Sequence, residues 1–207
     1  MSFTDATQFW NERFDKKEFI FGKDPNEYLV QKTTQYLKPN GSVLCIADGE
    51  GRNGVWLAKQ GMQVTGFDVS DIALAKANQF AHENQVSIQY SLCDTDSFYW
   101  QENVYDAVIA IFIQFADPEM RARIFKQVHQ TLKPGGVFIL QGYTPKQLEY
   151  KTGGPSLIEH LYTEEMIREL SQGFEILDLE CYEKELSEGT RHTGMSALLG
   201  MVAKKSA

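Results

Sequence analysis

Two short runs of this sequence carry groups at spacings suited to holding a nucleotide. Gly49-Glu50-Gly51-Arg52-Asn53-Gly54 follows the apolar run Val43-Leu44-Cys45-Ile46-Ala47-Asp48 and leads into a helical pattern. Gly49 and Gly51 carry no Cβ, so backbone there can approach a ligand closely, and the start of the helix behind them offers unpaired N–H groups. About twenty residues on, Asp68 closes the next apolar run, where a carboxylate can accept from both hydroxyls of a ribose. Taken singly, the first run is a tight strand-to-helix turn and Asp68 a helix cap. Together they point to an adenosine-containing cofactor.

The six-residue glycine run also fits the dinucleotide fingerprint literally. Asp48 and Glu50 count against that, because they place negative charge where a pyrophosphate would sit. Beside the sulfonium and amino groups of S-adenosylmethionine the same charges are tolerable. Methyl transfer from a sulfonium is an in-line displacement that needs alignment and exclusion of water. A base is needed only where the nucleophile carries a proton at neutral pH. The candidate base is His192, in a polar loop expected at 187–194, whose ordinary pKa near 6.5 suits the task; its plain alternative is a solvated loop histidine. Arg191 beside it is placed to bind an anionic substrate or to face water. Gln114 follows the fourth apolar run as a polar catalytic candidate. Tyr28, Phe115, Tyr143, Tyr150 and Tyr162 are candidates to line a substrate pocket. His82, His129 and His160 show no metal-ligand spacing, so no metal is expected.

The elements that must position these groups alternate. Helices are expected over 4–17 and 24–37, the second opened by Asp24-Pro25 as cap and first-turn proline. Strands follow over 42–47, 63–67, 86–91, 105–112 and 137–142. Helices lie between them over 53–60, from the Ser70 cap to 83, and from Asp117-Pro118 to 132. Strands alternating with helices imply right-handed crossovers and a parallel sheet. After a helix capped by Thr163, strands over 174–185 and 195–204 suggest an antiparallel pair at the sheet edge. Within 145–162, Gly153-Gly154-Pro155 marks a turn or flap.

The chain has 207 residues, a formal net charge of −8 and three scattered cysteines. One domain is expected, with 1–40 as a helical lid and 41–207 as the α/β core. Neither a disulfide framework nor a zinc site is suggested. The acidic balance lacks the basic footprint of a nucleic-acid binder. The sequence has no apolar leader or membrane-length run, so a cytoplasmic protein is expected. Oligomeric state stays open between monomer and weak homodimer.

The residues resemble class I S-adenosylmethionine-dependent methyltransferases, and among them the bacterial group related to tellurite-resistance methyltransferases. The likeness rests on Trp10-Asn11-Glu12-Arg13-Phe14, Phe21-Gly22-Lys23-Asp24-Pro25-Asn26, Gly49-Glu50-Gly51-Arg52-Asn53, Leu57-Ala58-Lys59-Gln60-Gly61 and Gly66-Phe67-Asp68-Val69-Ser70. Leu132-Lys133-Pro134-Gly135-Gly136 and Glu188-Gly189-Thr190-Arg191-His192-Thr193-Gly194 continue it. Cys45 and Ala47 depart from it, standing where the family has a leading acid and the first glycine. The resemblance implies a Rossmann-like, mostly parallel sheet with an antiparallel C-terminal edge hairpin and helices on both faces. It implies S-adenosylmethionine as methyl donor, with S-adenosylhomocysteine as product. Ala47 to Asn53 would form the donor loop, Asp68, Val69 and Ser70 would hold ribose and adenine, Cys93, Asp94 and Thr95 would flank the adenine, and Ile111 and Phe112 would floor the methionine end. Asp94 as a local turn cap and Phe112 as plain core are the alternatives. The expected activity is methylation of a small molecule such as a thiol or metalloid oxyanion. The rivals are a protein or RNA methyltransferase, a nicotinamide-dependent oxidoreductase and a non-catalytic S-adenosylmethionine-binding protein.

Overall fold

Runs of apolar residues in the central strands require helices over both faces of one sheet. The computed structural model describes residues 3–206 and has that arrangement. Helices α1 (Phe3–Phe14) and α2 (Glu27–Tyr36) precede β1 (Ser42–Ile46), α3 (Arg52–Lys59), β2 (Gln63–Asp68), α4 (Asp71–Glu83) and β3 (Gln89–Leu92). Next come β4 (Tyr105–Ile111), α5 (Pro118–Thr131), β5 (Leu132–Tyr143) and the short α6 (Gln147–Tyr150). A 3-10 turn at Ile158–His160, α7 (Glu164–Leu170), β6 (Phe174–Glu188) and β7 (His192–Lys205) follow.

The strands lie in the order β3-β2-β1-β4-β5-β7-β6. β1 to β5 pair in parallel, whereas β7 runs antiparallel between β5 and β6. The expected edge hairpin is therefore present. The strand order reverses between β1 and β4, so the carboxyl ends of these strands form the crevice where open α/β sheets bind ligands. Alternation sends Val43, Cys45, Ala107, Ile109, Val137 and Ile139 to one face, under Leu29 of α2 and Leu57 of α3. Leu44, Ile46, Val108, Ala110, Phe138 and Leu140 go to the other, against α5, α7 and Trp100.

Of the boundaries that differ from the sequence reading, among them α1 ending at Phe14 rather than 17 and β5 beginning at Leu132 rather than 137, three call for comment. The second helix is capped by Asn26, whose side chain accepts from Leu29 N, so Asp24-Pro25 lies before the cap. The third strand is Gln89–Leu92 rather than 86–91. The polar loop expected over 187–194 is a tight turn, because β6 runs to Glu188 and β7 starts at His192, with these two residues paired across it. His192 is thus a strand residue, not a loop residue.

Candidate active site

Beyond β1 the chain turns through Ala47 and Asp48 into α3. Ala47 has φ +49°, a left-handed conformation that costs a non-glycine residue about 1–2 kcal/mol. Ala47→Gly removes this strain and adds about 0.4–1 kcal/mol of unfolded-chain freedom. The net expectation is a gain of about 0.5–1 kcal/mol in urea unfolding; an unchanged or lower midpoint would contradict it.

The charged side chains of the glycine loop turn back into the protein. Asp48 accepts from Gly54 N (3.2 Å) and from Tyr90 OH (2.7 Å). It thereby supplies the acceptor that Cys45 cannot, since Cys45 lies wholly within the apolar face. Glu50 accepts from Ile20 N and Lys76 Nζ, both at 2.8 Å. Arg52 donates to Glu188 Oε2 (2.7 Å) and Phe21 O (3.1 Å). Asn53 Oδ1 accepts from Asn26 N (3.0 Å). A ligand on this loop meets backbone at the start of α3, whose Gly51 cap makes no side-chain hydrogen bond. The electrostatic objection to a pyrophosphate drawn from Asp48 and Glu50 loses force here, because Glu50 is ion-paired. Burial, reinforced by the charge of Asp68, pushes Asp48 up to about 7 against its hydrogen bonds from Tyr90 and Gly54.

A carboxyl whose folded value is raised stabilises the fold at low pH, and that contribution is lost as pH rises through the folded value. Asp48→Asn cannot ionise. It is expected to lose less stability than the parent between about pH 4 and about pH 7 in urea unfolding; parallel pH profiles would refute this.

At the end of β2, Asp68 is buried and accepts from Gly49 N (3.0 Å) and Ser70 N (2.9 Å). Ser70 caps α4 by accepting from Ala73 N (3.0 Å) and donates to Asn11 Oδ1 (2.6 Å). Half-buried Val69 lies between them. Cys93 N donates to Asp68 O (3.1 Å), which places this segment beside the carboxylate. Asp94 is a turn cap, accepting from Ser97 N (2.7 Å) and Asp96 N (3.2 Å). Thr95 is buried and its carbonyl accepts from Trp100 Nε1 (2.8 Å). Each carboxylate oxygen of Asp68 keeps lone pairs for further donors, so these residues fit the ribose of an adenosyl cofactor.

The N-terminal segment covers the loop. A Cβ on Gly49 would lie 3.4 Å from Phe14 Cζ, and Asn11 Nδ2 donates to Asp71 (2.6 Å). Trp10 stacks on Phe14 at 5.7 Å. The linker after α1 is clasped to the β6–β7 turn chiefly through backbone, with the Thr190 hydroxyl also donating to the Ile20 carbonyl at 3.4 Å. Thr190 N donates to Ile20 O (2.9 Å), and a Cβ on Gly189 would lie 2.3 Å from that same oxygen. A surface concavity of about 520 Å³ lies elsewhere, between the linker and α4, lined by Lys16, Lys23, Lys76 and Phe80.

Beside the loop, at the ends of β4 and β5, sits His192. Its buried ring lies 4.3 Å from Phe112, 4.6 Å from Phe21 and 5.6 Å from Tyr143. Phe112 has φ +58°, a strained conformation for a bulky residue of the kind that gathers at functional sites. Ile111 before it is half-buried. His192 Nδ1 is 3.7 Å from Glu188 Oε2, too far for a hydrogen bond, and has no other partner among the described residues. Burial lowers the imidazole below its ordinary value, Arg52 adds to this, and Glu188 opposes it. Burial also works against the charge of Glu188, but His192 and Arg52 outweigh it and hold the carboxyl below its usual range. Asn26 Nδ2 donates to Glu188 Oε1 (2.9 Å) and Gln141 Oε1 (2.7 Å).

Glu188, Asn26 and Gln141 were missed from the sequence. Gln114, expected as a catalytic amide, is a strut: its Nε2 donates to Tyr143 O and His160 O, both at 2.9 Å, and its Oε1 accepts from Tyr143 N. Arg191 is exposed on the turn. Of the candidate aromatic lining, Tyr143 reaches the site, Tyr162 is core, Tyr28 stacks on Tyr182 at 6.3 Å, Phe115 packs against the core and Tyr150 bonds to Glu183.

Parallel order β3-β2-β1-β4-β5 with an antiparallel penultimate strand differs from the six-stranded 3-2-1-4-5-6 arrangement of dinucleotide folds. Residues 43–136 match the family described as a methyltransferase domain. Over that stretch the chain is similar to methyltransferase domains. The chain is 31% identical over 119 residues to thiocyanate methyltransferase 1 of Arabidopsis thaliana, covering 56% of this chain and 51% of that one. The TehB crystal structure from Haemophilus influenzae superposes with a TM-score of 0.71 at 19% identity, covering 97% of this chain and 67% of that one. A structure from work on converting a disulfide bond into a thioacetal group during echinomycin biosynthesis reaches 0.81 at 16% identity, covering 97% and 92%. The chain spans about half, or less, of the length of the curated relatives it matches. Among the described residues no helix is long and apolar enough to cross a membrane.

Proposed function

We propose that this protein transfers the methyl group of S-adenosylmethionine to a small-molecule acceptor. The observation that carries the proposal is Asp68, held at the end of β2 by the amides of Gly49 and Ser70. It stands against the glycine loop of a methyltransferase domain. When bound, S-adenosylmethionine supplies an activated methyl group on a sulfonium. Asp68 accepts from the ribose hydroxyls and Val69 packs on the adenine, with Cys93 and Thr95 at its edge. The backbone from Ala47 to Asn53 and the side chains of Ile111 and Phe112 bound the methionine end. Glu50 and Arg52 act indirectly, tying the loop to the linker and to β6. Residues 3–40 act as a lid that excludes water, and the whole chain works as one domain; residues 1, 2 and 207 lie outside the described ones.

The acceptor meets His192 at the ends of β4 and β5. A small acceptor is favoured because this site is walled by Phe21, Phe112 and Tyr143 rather than open along a groove. The name of thiocyanate methyltransferase 1 states a small acceptor. The acidic charge supports action without nucleic acid, and we take the protein to be cytoplasmic and a monomer or weak homodimer. Calorimetric titration with S-adenosylmethionine, S-adenosylhomocysteine and NADH tests the reading. Binding of the two adenosyl ligands and not NADH is expected; binding of NADH alone would overturn it.

A further inference from the structure

We infer that the acceptor is an uncharged molecule whose nucleophile still carries its proton, a small thiol or hydroxyl compound, and that His192, positioned by Glu188, takes that proton. This rests on the methyl-transfer reading above and narrows its acceptor class.

The first support is charge. The buried cationic side chains among the described residues are Lys32, Arg52 and Arg121. Lys32 pairs with Asp178 and Glu180 on the outer part of β6. Arg121 donates to Glu159 O beneath Tyr162. Arg52, which does reach the site, is taken by Glu188 and Phe21 O. Among the described residues an anionic acceptor desolvated beside Phe21, Phe112 and Tyr143 would meet no free side-chain cation, only the donor's sulfonium, whose charge is consumed by the transfer itself. Arg191 stands exposed on the turn, where water screens it. Arg13 folds its guanidinium over Phe9 at 3.3 Å.

The second support is the setting of His192. Its ring is held by three aromatic neighbours, yet Nδ1 has no hydrogen-bond partner among the described residues. An unpaired buried nitrogen is costly and calls for a reason. Glu188 supplies one. Arg52 and Asn26 fix its carboxylate with Oε2 facing Nδ1 at 3.7 Å, and such contacts tighten when a catalytic site fills. With Nδ1–H directed at Glu188, the lone pair lies on Nε2, a tautomer assigned from this network. The charged and titratable groups facing the ring are Glu188 from β6, Arg52 from α3 and Tyr143 from β5. Among the described residues the linker and the end of β4 contribute Phe21 and Phe112, neither of them charged. Burial favours the neutral ring, the form that can accept a proton.

In the step, the acceptor's S–H or O–H proton passes to Nε2 while its lone pair bonds to the methyl carbon. The methyl–sulfonium bond breaks and its electron pair stays on sulfur. Glu188 balances the imidazolium until the proton leaves to water. A preformed anion such as thiocyanate or tellurite would need none of this.

The test compares 2-mercaptoethanol and catechol with thiocyanate and tellurite. Each is assayed for turnover and, by calorimetry, for binding to protein loaded with S-adenosylhomocysteine. The neutral pair should bind and react preferentially, with kcat/KM rising with pH through an ionisation below the ordinary imidazole value. His192→Gln should keep S-adenosylhomocysteine binding and lose about 100-fold or more in kcat at neutral pH. Glu188→Gln should move the pH profile to lower pH, which a purely structural role would not do. Absence of a preference for the neutral pair, or full activity of His192→Gln, overturns the inference and leaves the methyltransferase intact. Failure of the unaltered protein to bind S-adenosylhomocysteine overturns the reading on which it stands.

Discussion

Asp68→Ala is expected to weaken S-adenosylmethionine binding by about 100- to 1000-fold, the loss of two hydrogen bonds to a charged acceptor at about 1.5–3 kcal/mol each, discounted for water that replaces them. Isothermal calorimetry measures this directly. Asp68→Asn keeps one acceptor oxygen and should fall between. The same carboxylate sets a pH dependence. Burial pushes Asp68 up to about 6, against the amides of Ser70, Gly49 and Val69 that favour its charge. The ribose donates to the ionised form, so protonation competes with the ligand and affinity falls as pH drops through about 6, with a plateau above. Affinity independent of pH across that range, or an alanine variant that binds normally, would remove Asp68 from the site.

Glu188→Ala should cost the fold about 3–5 kcal/mol, because it strands the buried Arg52 guanidinium without its counter-charge. For a chain of this size that corresponds to a melting temperature lower by about 10 °C or more. The diagnostic comparison is the double variant Arg52→Leu, Glu188→Leu. Removing both charges leaves none unpaired, so it should be more stable than Glu188→Ala. A single variant that melts within about 2 °C of the parent would mean that the pair is not buried in solution.

The parts of the site that depend on local chain direction were legible in the sequence. The strand–glycine–helix run fixes where the loop must be, and Asp68 follows from the end of the next strand. Ser70, Asp117 and Thr163 each cap a helix as their types suggest. Asn26 does not stand out by type, because Asp24-Pro25 is itself a common helix start, and its side-chain bond to Leu29 N decides otherwise. Side-chain direction was not legible. Glu50 and Arg52 look like ligand-facing charges in a glycine loop, yet their partners are Lys76 and Glu188, 26 and 136 residues away. His192 stood out by type, but its cage comes from residues 21, 112 and 143, which only the sheet brings together. Glu188 would have emerged had Gly189-Thr190-Arg191 been read as a tight hairpin turn, since that register places it opposite His192.

The backbone clasp between the linker and the β6–β7 turn has a consequence for kinetics. Ile20 is joined to Glu50 on one side and to Thr190 on the other, so any displacement of the linker that admits an adenosyl ligand also draws on the strand end bearing His192. The base is assembled only after the linker has settled back. Catalysis should therefore follow a compulsory order, with S-adenosylmethionine first on and S-adenosylhomocysteine last off, and product inhibition by S-adenosylhomocysteine should be competitive towards the donor alone.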